Sequence, residues 1–138
     1  MVLKLNPLSG VFDFTTDSTE FAEKVSDEFD CAASVAVGDV VIPSEVTENT
    51  VVALTSNVYN NLAFGVVITK ITTTTCEVLM SGKLEGLSGL SFGRPMFIHT
   101  DGTLTTTPPA TGHLQKMGFA AKADSGFLLP SMEKVIQS

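Results

Sequence analysis

The sequence contains no tryptophan and only one tyrosine, Tyr59, and its aromatic content consists almost entirely of nine phenylalanines. Sites that bind or cleave glycans usually stack the sugar ring on an aromatic side chain that also carries a polar group, so this composition weakens such an assignment. A glycosidase also needs two carboxylates held at a defined separation. The available acids show no spacing that pairs any two of them: Glu77, Glu85, Asp101 and Asp124.

Charge is scarce, since only 17% of the residues are charged and only eight of the 138 are Lys or Arg. Nucleic-acid binding requires clustered basic residues that release counterions from phosphates, so the composition predicts no nucleic-acid partner. The net charge of −7 is uneven: residues 1–30 hold seven acids and two bases, a net of −5, and residues 31–138 hold eight acids and six bases, a net of −2. The acidity is therefore concentrated at the N-terminus.

Long hydrophobic runs are also missing, because no stretch reaches the ~18 apolar residues that a membrane-spanning helix requires. The first residues, MVLKLNPLSG, lack the apolar core of a signal peptide. We therefore expect no membrane partner and no secretion by the usual route. The two cysteines, Cys31 and Cys76, could form a disulfide, but so low a cysteine density does not support a disulfide framework, and we expect buried free thiols.

No catalytic or ligand-binding motif is present. His99 and His113 fall in no spacing typical of a metal site, and no CxxC pair accompanies them. Ser88 does not lie in a GxSxG nucleophile elbow, and the Gly82-Lys83 pair lacks the preceding residues of a phosphate-binding loop. The sequence predicts no catalytic residue, no metal and no cofactor, and hence a protein that is not an enzyme.

Short β-type runs dominate the chain from Cys31 onward. They are separated by turn signals every 8–12 residues, which is typical of an all-β barrel or sandwich. Asp101-Gly102 is a strong two-residue hairpin signal, and Gly65 marks a bulge or a point of close packing. The runs cover residues 33–37, 40–42, 50–54, 62–68, 74–80, 96–99, 104–107, 114–123 and 126–129.

The N-terminal segment has a different pattern. Phe12 and Phe14 alternate with polar residues and would share one face of an extended strand. Phe21, Val25 and Phe29 recur every four residues after a possible capping box, which predicts a short amphipathic helix near 18–29. A helix this short needs packing partners. Its phenylalanines could pack on their own domain, or the segment could be an arm that contacts a neighbouring subunit or a larger assembly.

The predicted fold is all-β: a compact barrel or sandwich of short antiparallel strands over residues 31–138, preceded by an arm of residues 1–30 that contains a short helix. The predicted partner-binding residues are the phenylalanines of that arm: Phe12, Phe14, Phe21 and Phe29.

A series of motifs resembles, in the same order, a β-domain of tailed-bacteriophage virion proteins, which include head decoration (cement) proteins, head fibres and tail-fibre modules. The series opens with DCAASVAVGDVV at residues 30–41 and spans roughly residues 30–130. The later motifs are AFGVV at 63–67, TTCEV at 74–78, GKLEGLSGL at 82–90, GRPMFI at 93–98, GTLTTTPP at 102–109 and LQKMG at 114–118.

This resemblance implies a compact β-barrel or sandwich that assembles as a homotrimer, and it marks no catalytic residue. It implies a capsid decoration protein that binds the major capsid protein in the assembled head, made in the host cytoplasm and found on the capsid surface of the virion. A head or tail fibre with a host-attachment role is the first alternative. A glycan-binding or glycan-cleaving module and an oligomeric scaffold protein unrelated to viruses are the others.

Overall fold

The computed structural model describes the backbone of residues 2–6 and 11–15 and the whole of residues 24–137. Thirteen β-strands form in this part of the chain, and it contains no helix. In chain order they are β1 Val2–Asn6, β2 Val11–Thr15, β3 Lys24–Cys31, β4 Val40–Pro43, β5 Thr50–Ala53, β6 Gly65–Thr72, β7 Thr75–Glu85, β8 Pro95–Ile98, β9 Leu104–Thr105, β10 Gly112–Leu114, β11 Gly118–Lys122, β12 Ser125–Leu128 and β13 Val135–Gln137. The predicted all-β class is confirmed.

A nine-stranded sheet forms the body of the molecule, in the order β3-β5-β4-β6-β7-β12-β11-β8-β9. Strand β3 also pairs antiparallel with β7, which closes the first five strands into a barrel. The long strand β7 continues past the barrel and pairs with β12. It therefore belongs both to the barrel and to a flanking sheet, which consists of β7, β12, β11, β8 and β9. Two further pairs stand apart from this sheet: the hairpin β1-β2 and the pair β10-β13.

Two hydrophobic cores lie on opposite faces of the shared strands. Val41, Val67 and Val78 belong to the core inside the barrel, together with Cys31 and Cys76. Their neighbours in sequence belong to the second core, between the barrel and the flanking sheet: Val40, Val66 and Leu79. Successive side chains of a strand point to opposite faces, so burial of both faces explains why these strands read as continuous apolar runs.

The strand β3 corrects the predicted helix. Residues 24–29 of the predicted range 18–29 are extended and pair with β7, while residues 18–23 lie outside the described residues. A spacing of four residues fits a helix of period 3.6, but it also keeps residues on one face of a strand of period two. Residues 24–31 form a strand because their backbone pairs with that of β7 and β5. That the chain before Lys24 acts as a separate arm stays a prediction.

A second correction concerns residues 33–37, which form turns rather than a strand. The Lys70 ammonium donates hydrogen bonds to three backbone carbonyls of this segment, those of Ala32, Ala33 and Val35. The Ala36 amide donates to the carboxylate of Asp39 at 2.9 Å. These partners satisfy the loop's backbone groups without a neighbouring strand.

The prediction at Gly65 is confirmed, whereas Asp101-Gly102 lies in a hairpin turn whose connection, residues 99–103, is longer than the predicted two residues. A side chain at Gly65 would place its Cβ 2.5 Å from the Leu79 carbonyl oxygen, so this is a point of close packing between β6 and β7. Gly102 has a φ of 88° in the turn between β8 and β9, where its amide donates to the His99 carbonyl at 2.8 Å. Glycine adopts that conformation without the steric cost that a Cβ imposes.

Candidate interaction surface

The residues that sequence patterns single out for chemistry make structural contacts. His99 Nδ1 lies 3.1 Å from a carboxylate oxygen of Asp101 in the exposed turn after β8. The backbone and hydroxyl of Thr103 donate to the same oxygen, and these bonds hold the pKa of Asp101 below its ordinary 3.8. The arrangement closes the turn rather than positioning a proton for transfer.

The second histidine, His113, lies in a polar network beside the second core. Its Nδ1 accepts a hydrogen bond from the Tyr59 amide at 3.3 Å, and its ring packs edge-on against Tyr59. Burial, and then the nearby charge of Lys134, lower the pKa of His113. The Lys134 ammonium lies 4.2 Å from the centre of the Tyr59 ring and donates to the carbonyls of Tyr59 and Asn61, which fixes the loop that precedes β6.

Gln115 is the most buried polar side chain of this network, with 1% of its surface exposed. Its Oε1 accepts from the Tyr59 hydroxyl at 2.8 Å and from the Ala63 amide at 3.1 Å. Its Nε2 donates to the carbonyls of Ala63 and Ser131 at 2.7 and 2.8 Å. Burial raises the pKa of Tyr59 to about 12, so its hydroxyl is a hydrogen-bond donor at neutral pH. Sequence patterns missed this residue, because a single Gln carries no periodic signal.

Of the four acids considered for glycan cleavage, the two that share a strand are too far apart to form a pair. Glu77 and Glu85 are both on β7, eight residues apart, which corresponds to about 26 Å along an extended strand. Glu77 accepts a hydrogen bond from Ser26 at 2.6 Å, and Glu85 lies 3.5 Å from the Lys83 ammonium. Retaining and inverting glycosidases hold their two carboxylates roughly 5–10 Å apart, so these two cannot act together.

Within the described residues, no group of three or more His, Cys, Asp and Glu side chains is placed to hold a metal ion. Cys31 and Cys76 are free thiols buried inside the barrel, which confirms that expectation. Burial, together with a hydrogen bond to Cys31, raises the pKa of Cys76 to about 11. A thiol in that state is a poor nucleophile and a poor metal ligand at neutral pH.

The predicted partner-binding phenylalanines divide into three situations. Phe29 is half-buried on β3, where it packs against the barrel core and meets Phe64 edge-on with 5.4 Å between ring centres. Phe12 and Phe14 lie on β2, and Phe21 lies outside the described residues. Phe29 therefore packs on its own domain, and the contact role of all four stays a prediction.

The register of the β1-β2 hairpin pairs leucines with phenylalanines. It places Leu3 opposite Phe14 and Leu5 opposite Phe12. The extended backbone on which the alternation of Phe12 and Phe14 was predicted is confirmed.

An apolar strip lies on the outer face of the flanking sheet. We define it by Pro95, Phe119, Phe127 and Leu129. Phe119 lies opposite both Pro95 and Phe127 in the sheet, and the two phenylalanine rings stack with 5.9 Å between centres and 13° between planes. Phe119 is 50% exposed and Leu129 63%. The solvent face of an antiparallel sheet normally carries polar side chains, so this exposed apolar strip is a candidate contact surface.

The strip has a basic border. A shallow groove of about 420 Å³ runs along it and is lined by Lys116 as well as by Phe119 and Leu129. Arg94 and Lys122 are exposed on either side, next to Pro95 and at the end of β11. The salt bridges found within residues 24–137 join Lys83 to Glu85 and His99 to Asp101, so none of these three cations takes part in one. The surface therefore combines apolar area with positive charge in a chain whose net charge is −7.

A second groove, of about 540 Å³, opens where loop 61–64 meets the segment that follows β12. It is lined by prolines, methionines and other apolar residues: Pro43, Leu62, Phe64, Met80, Pro130 and Met132. Met132 is 81% exposed at its edge. Flexible methionine side chains adapt to varied partners, so this groove suits a protein contact more than a polar ligand.

No protein-family model, curated protein or solved structure matches the chain significantly. The part of the chain that the structure describes contains no helix long and apolar enough to cross a membrane.

Proposed function

We propose that the protein is a capsid decoration (cement) protein of a tailed bacteriophage, which binds the assembled head as a homotrimer and stabilises it without catalysis. The observation that carries the proposal is the ordered series of motifs that spans roughly residues 30–130 and resembles virion β-domains. The barrel closed by β3 and β7 is the kind of compact β-fold that the resemblance implies. The exposed apolar strip is the kind of surface that an assembly protein buries.

The proposed mechanism is thermodynamic. A protein that binds the assembled shell but not the free coat subunit stabilises the shell by mass action. At a free concentration of 100 times the dissociation constant, each occupied site contributes about 2.7 kcal/mol. Many sites on one shell add up, so a small protein with modest affinity per site raises the force or temperature at which a head breaks open.

Location on the virion tests the proposal. Purified virions are labelled with an antibody against the protein and viewed by negative-stain electron microscopy. A decoration protein appears over the whole head surface in many copies. Label confined to the tail or to a few head fibres would indicate the fibre alternative, and the lack of any label on virions would contradict a virion role.

Substitution of two N-terminal phenylalanines tests whether this segment contacts the head. Replacing Phe12 and Phe14 by Ser should abolish binding to heads and leave the β-domain folded, because both residues lie on the separate hairpin β1-β2. Val46→Ser is the matched control, since Val46 is a 95% exposed apolar residue on a loop far along the chain. Unchanged occupancy of the Phe12→Ser/Phe14→Ser variant on heads would remove the hairpin from the mechanism.

A further inference from the structure

Two free thiols lie side by side inside the barrel, in a role that the proposed function does not require. Cys31 and Cys76 belong to the same cluster of buried residues, with 6% and 0% of their surfaces exposed. A buried cysteine packs like a small hydrophobic side chain. Two neighbouring thiols also have a reaction in common, because oxidation can join them as a disulfide.

The register of β3 and β7, the two strands that close the barrel, brings both cysteines to one face. Phe29 lies opposite Cys76 and Asp30 opposite Thr75. The next residue, Cys31, donates its amide to the carbonyl of Thr74 at 2.9 Å. Residues two apart on a strand share a face, so Cys31 and Cys76 are diagonal neighbours across this pair of strands and both contribute to the core inside the barrel.

The two side chains are in contact, since Cys76 and Cys31 share a hydrogen bond between their thiols. Diagonal neighbours in an antiparallel pair have Cα atoms roughly 7–8 Å apart, whereas a disulfide usually spans roughly 4.4–6.8 Å. Bridging them therefore requires a small movement of the backbone. Cys31 is the last residue of β3, where the chain leaves the ladder and enters a turn, so this end of the strand can shift while the rest of the ladder stays paired.

Lys70 connects the surroundings of the two thiols. It lies opposite Cys76 in the ladder between β6 and β7, and its ammonium donates to the carbonyl of Ala32, next to Cys31, at 3.1 Å. Burial, and then the hydrogen bond to Cys31, raise the pKa of Cys76 to about 11, and the charge of Lys70 opposes them. Oxidation of Cys31 would remove the part of this rise that Cys31 causes, which leaves Lys70 to favour the Cys76 thiolate that disulfide formation needs.

We propose that Cys31 and Cys76 form a disulfide that joins β3 to β7 when the folded chain meets hydrogen peroxide. Cys31, the more exposed of the two, attacks the peroxide as a thiolate; an S–O bond forms, the O–O bond breaks and hydroxide leaves, which gives a sulfenic acid. The Cys76 sulfur then attacks the sulfenic sulfur, the S–S bond forms, and the hydroxyl leaves with the Cys76 proton as water. Two thiols and one hydrogen peroxide become one disulfide and two waters, so the peroxide takes up the two electrons that the sulfurs lose.

The crosslink acts on the contact that closes the barrel. It joins the two strands whose pairing completes the five-stranded ring, and it closes a loop over residues 32–75. A crosslink across a loop of this length restricts the unfolded chain far more than the folded one. The inference goes beyond the proposed function and does not depend on it. A chain that folds with free thiols in a reducing compartment forms the crosslink after it leaves that compartment.

Treatment of the reduced, folded, full-length chain with hydrogen peroxide tests the inference. The intact mass of the monomer should fall by the mass of two hydrogen atoms, and proteolysis should release one linked pair of peptides that contains Cys31 and Cys76. The urea midpoint of the oxidised protein should rise by about 2 M, given the length of the closed loop and the usual slope for a chain of this size. Dithiothreitol should restore both the mass and the midpoint.

The variants Cys31→Ala and Cys76→Ala are the matched controls, because each keeps one of the two thiols. After circular dichroism has checked their β-structure, neither should lose mass or gain in midpoint when treated with peroxide. A native chain whose mass stays unchanged, one that only gains oxygen atoms, or one whose cysteines link two chains would each overturn the inference. So would an internal disulfide that leaves the urea midpoint where it was. The native chain alone supplies these outcomes, so they hold even where a variant fails to fold.

Discussion

Replacing the buried Gln115 by Leu removes four hydrogen bonds from the interior with little change in side-chain volume. The Gln115 amide joins the Tyr59 hydroxyl, the Ala63 amide and carbonyl, and the Ser131 carbonyl at 2.7–3.1 Å. Leucine satisfies none of them. These groups lie where solvent reaches poorly, because Tyr59 is 6% and Ala63 1% exposed.

The expected loss of unfolding free energy follows from the groups left unpaired. A buried donor or acceptor without a partner costs about 1–3 kcal/mol, and two of the four, the Tyr59 hydroxyl and the Ala63 amide, are donors that lose their hydrogen-bonded acceptor. Taking about 1 kcal/mol for each of four groups and allowing about 1 kcal/mol for the added apolar burial gives a net loss of about 3 kcal/mol. That is a large share of the 5–15 kcal/mol by which a domain is stable.

Urea denaturation followed by circular dichroism measures this loss. With a slope near 2 kcal/mol per molar for a chain of this size, the midpoint should fall by about 1.5 M. Gln137→Leu is the matched control, because Gln137 Oε1 is buried without a hydrogen-bond partner among the described residues, so its removal breaks no hydrogen bond and should leave the free energy of unfolding unchanged or raise it. A Gln115→Leu midpoint as high as that of Gln137→Leu would refute the reasoning.

Three further predictions concern stability and reactivity. The Cys76 thiol, buried in the barrel and with its pKa raised to about 11, should not react with Ellman's reagent at pH 8 until urea unfolds the protein; rapid labelling of the native protein would contradict its placement. The pKa of His113 is lowered from 6.5 by burial and by Lys134, so the unfolded chain takes up a proton before the folded one, and unfolding free energy should fall as pH drops below about 7. The variant His113→Gln should flatten that decline between pH 7 and 5, and an unchanged slope would assign it to other groups. Gly65→Ala would bring a Cβ to 2.5 Å from the Leu79 carbonyl oxygen, and it should cost about 3 kcal/mol in urea denaturation, whereas a loss below about 0.5 kcal/mol would show that β6 moves away freely.

Local signals in the sequence predict most of the fold. The Asp101-Gly102 turn and the apolar runs that became β4, β6 and β7 carry their signal in adjacent residues. Strand β3 escaped prediction because its spacing of four fits both a helix and a strand, and the decision comes from its partner β7, about 50 residues later. The prediction of a strand at 33–37 was wrong for a related reason, because the carbonyls of this segment accept hydrogen bonds from Lys70, which is distant in sequence.

The candidate surface was harder to predict than the strands. The phenylalanines of the hairpin stood out because they alternate within five residues. The strip did not, because Pro95, Phe119 and Phe127 come from three strands and become neighbours only through the register of β8, β11 and β12. Surfaces built across strands depend on topology, which single runs of sequence do not encode.

Binding to assembled heads tests the central claim most directly. Heads that lack the protein are mixed with increasing amounts of it, pelleted by ultracentrifugation, and assayed for bound protein and for the temperature at which they release DNA. A decoration protein should pellet with heads in a saturable manner and raise that temperature, and it should not bind unassembled coat subunits. Equal binding to free subunits, or a protein that stays in the supernatant at every concentration, would contradict the account.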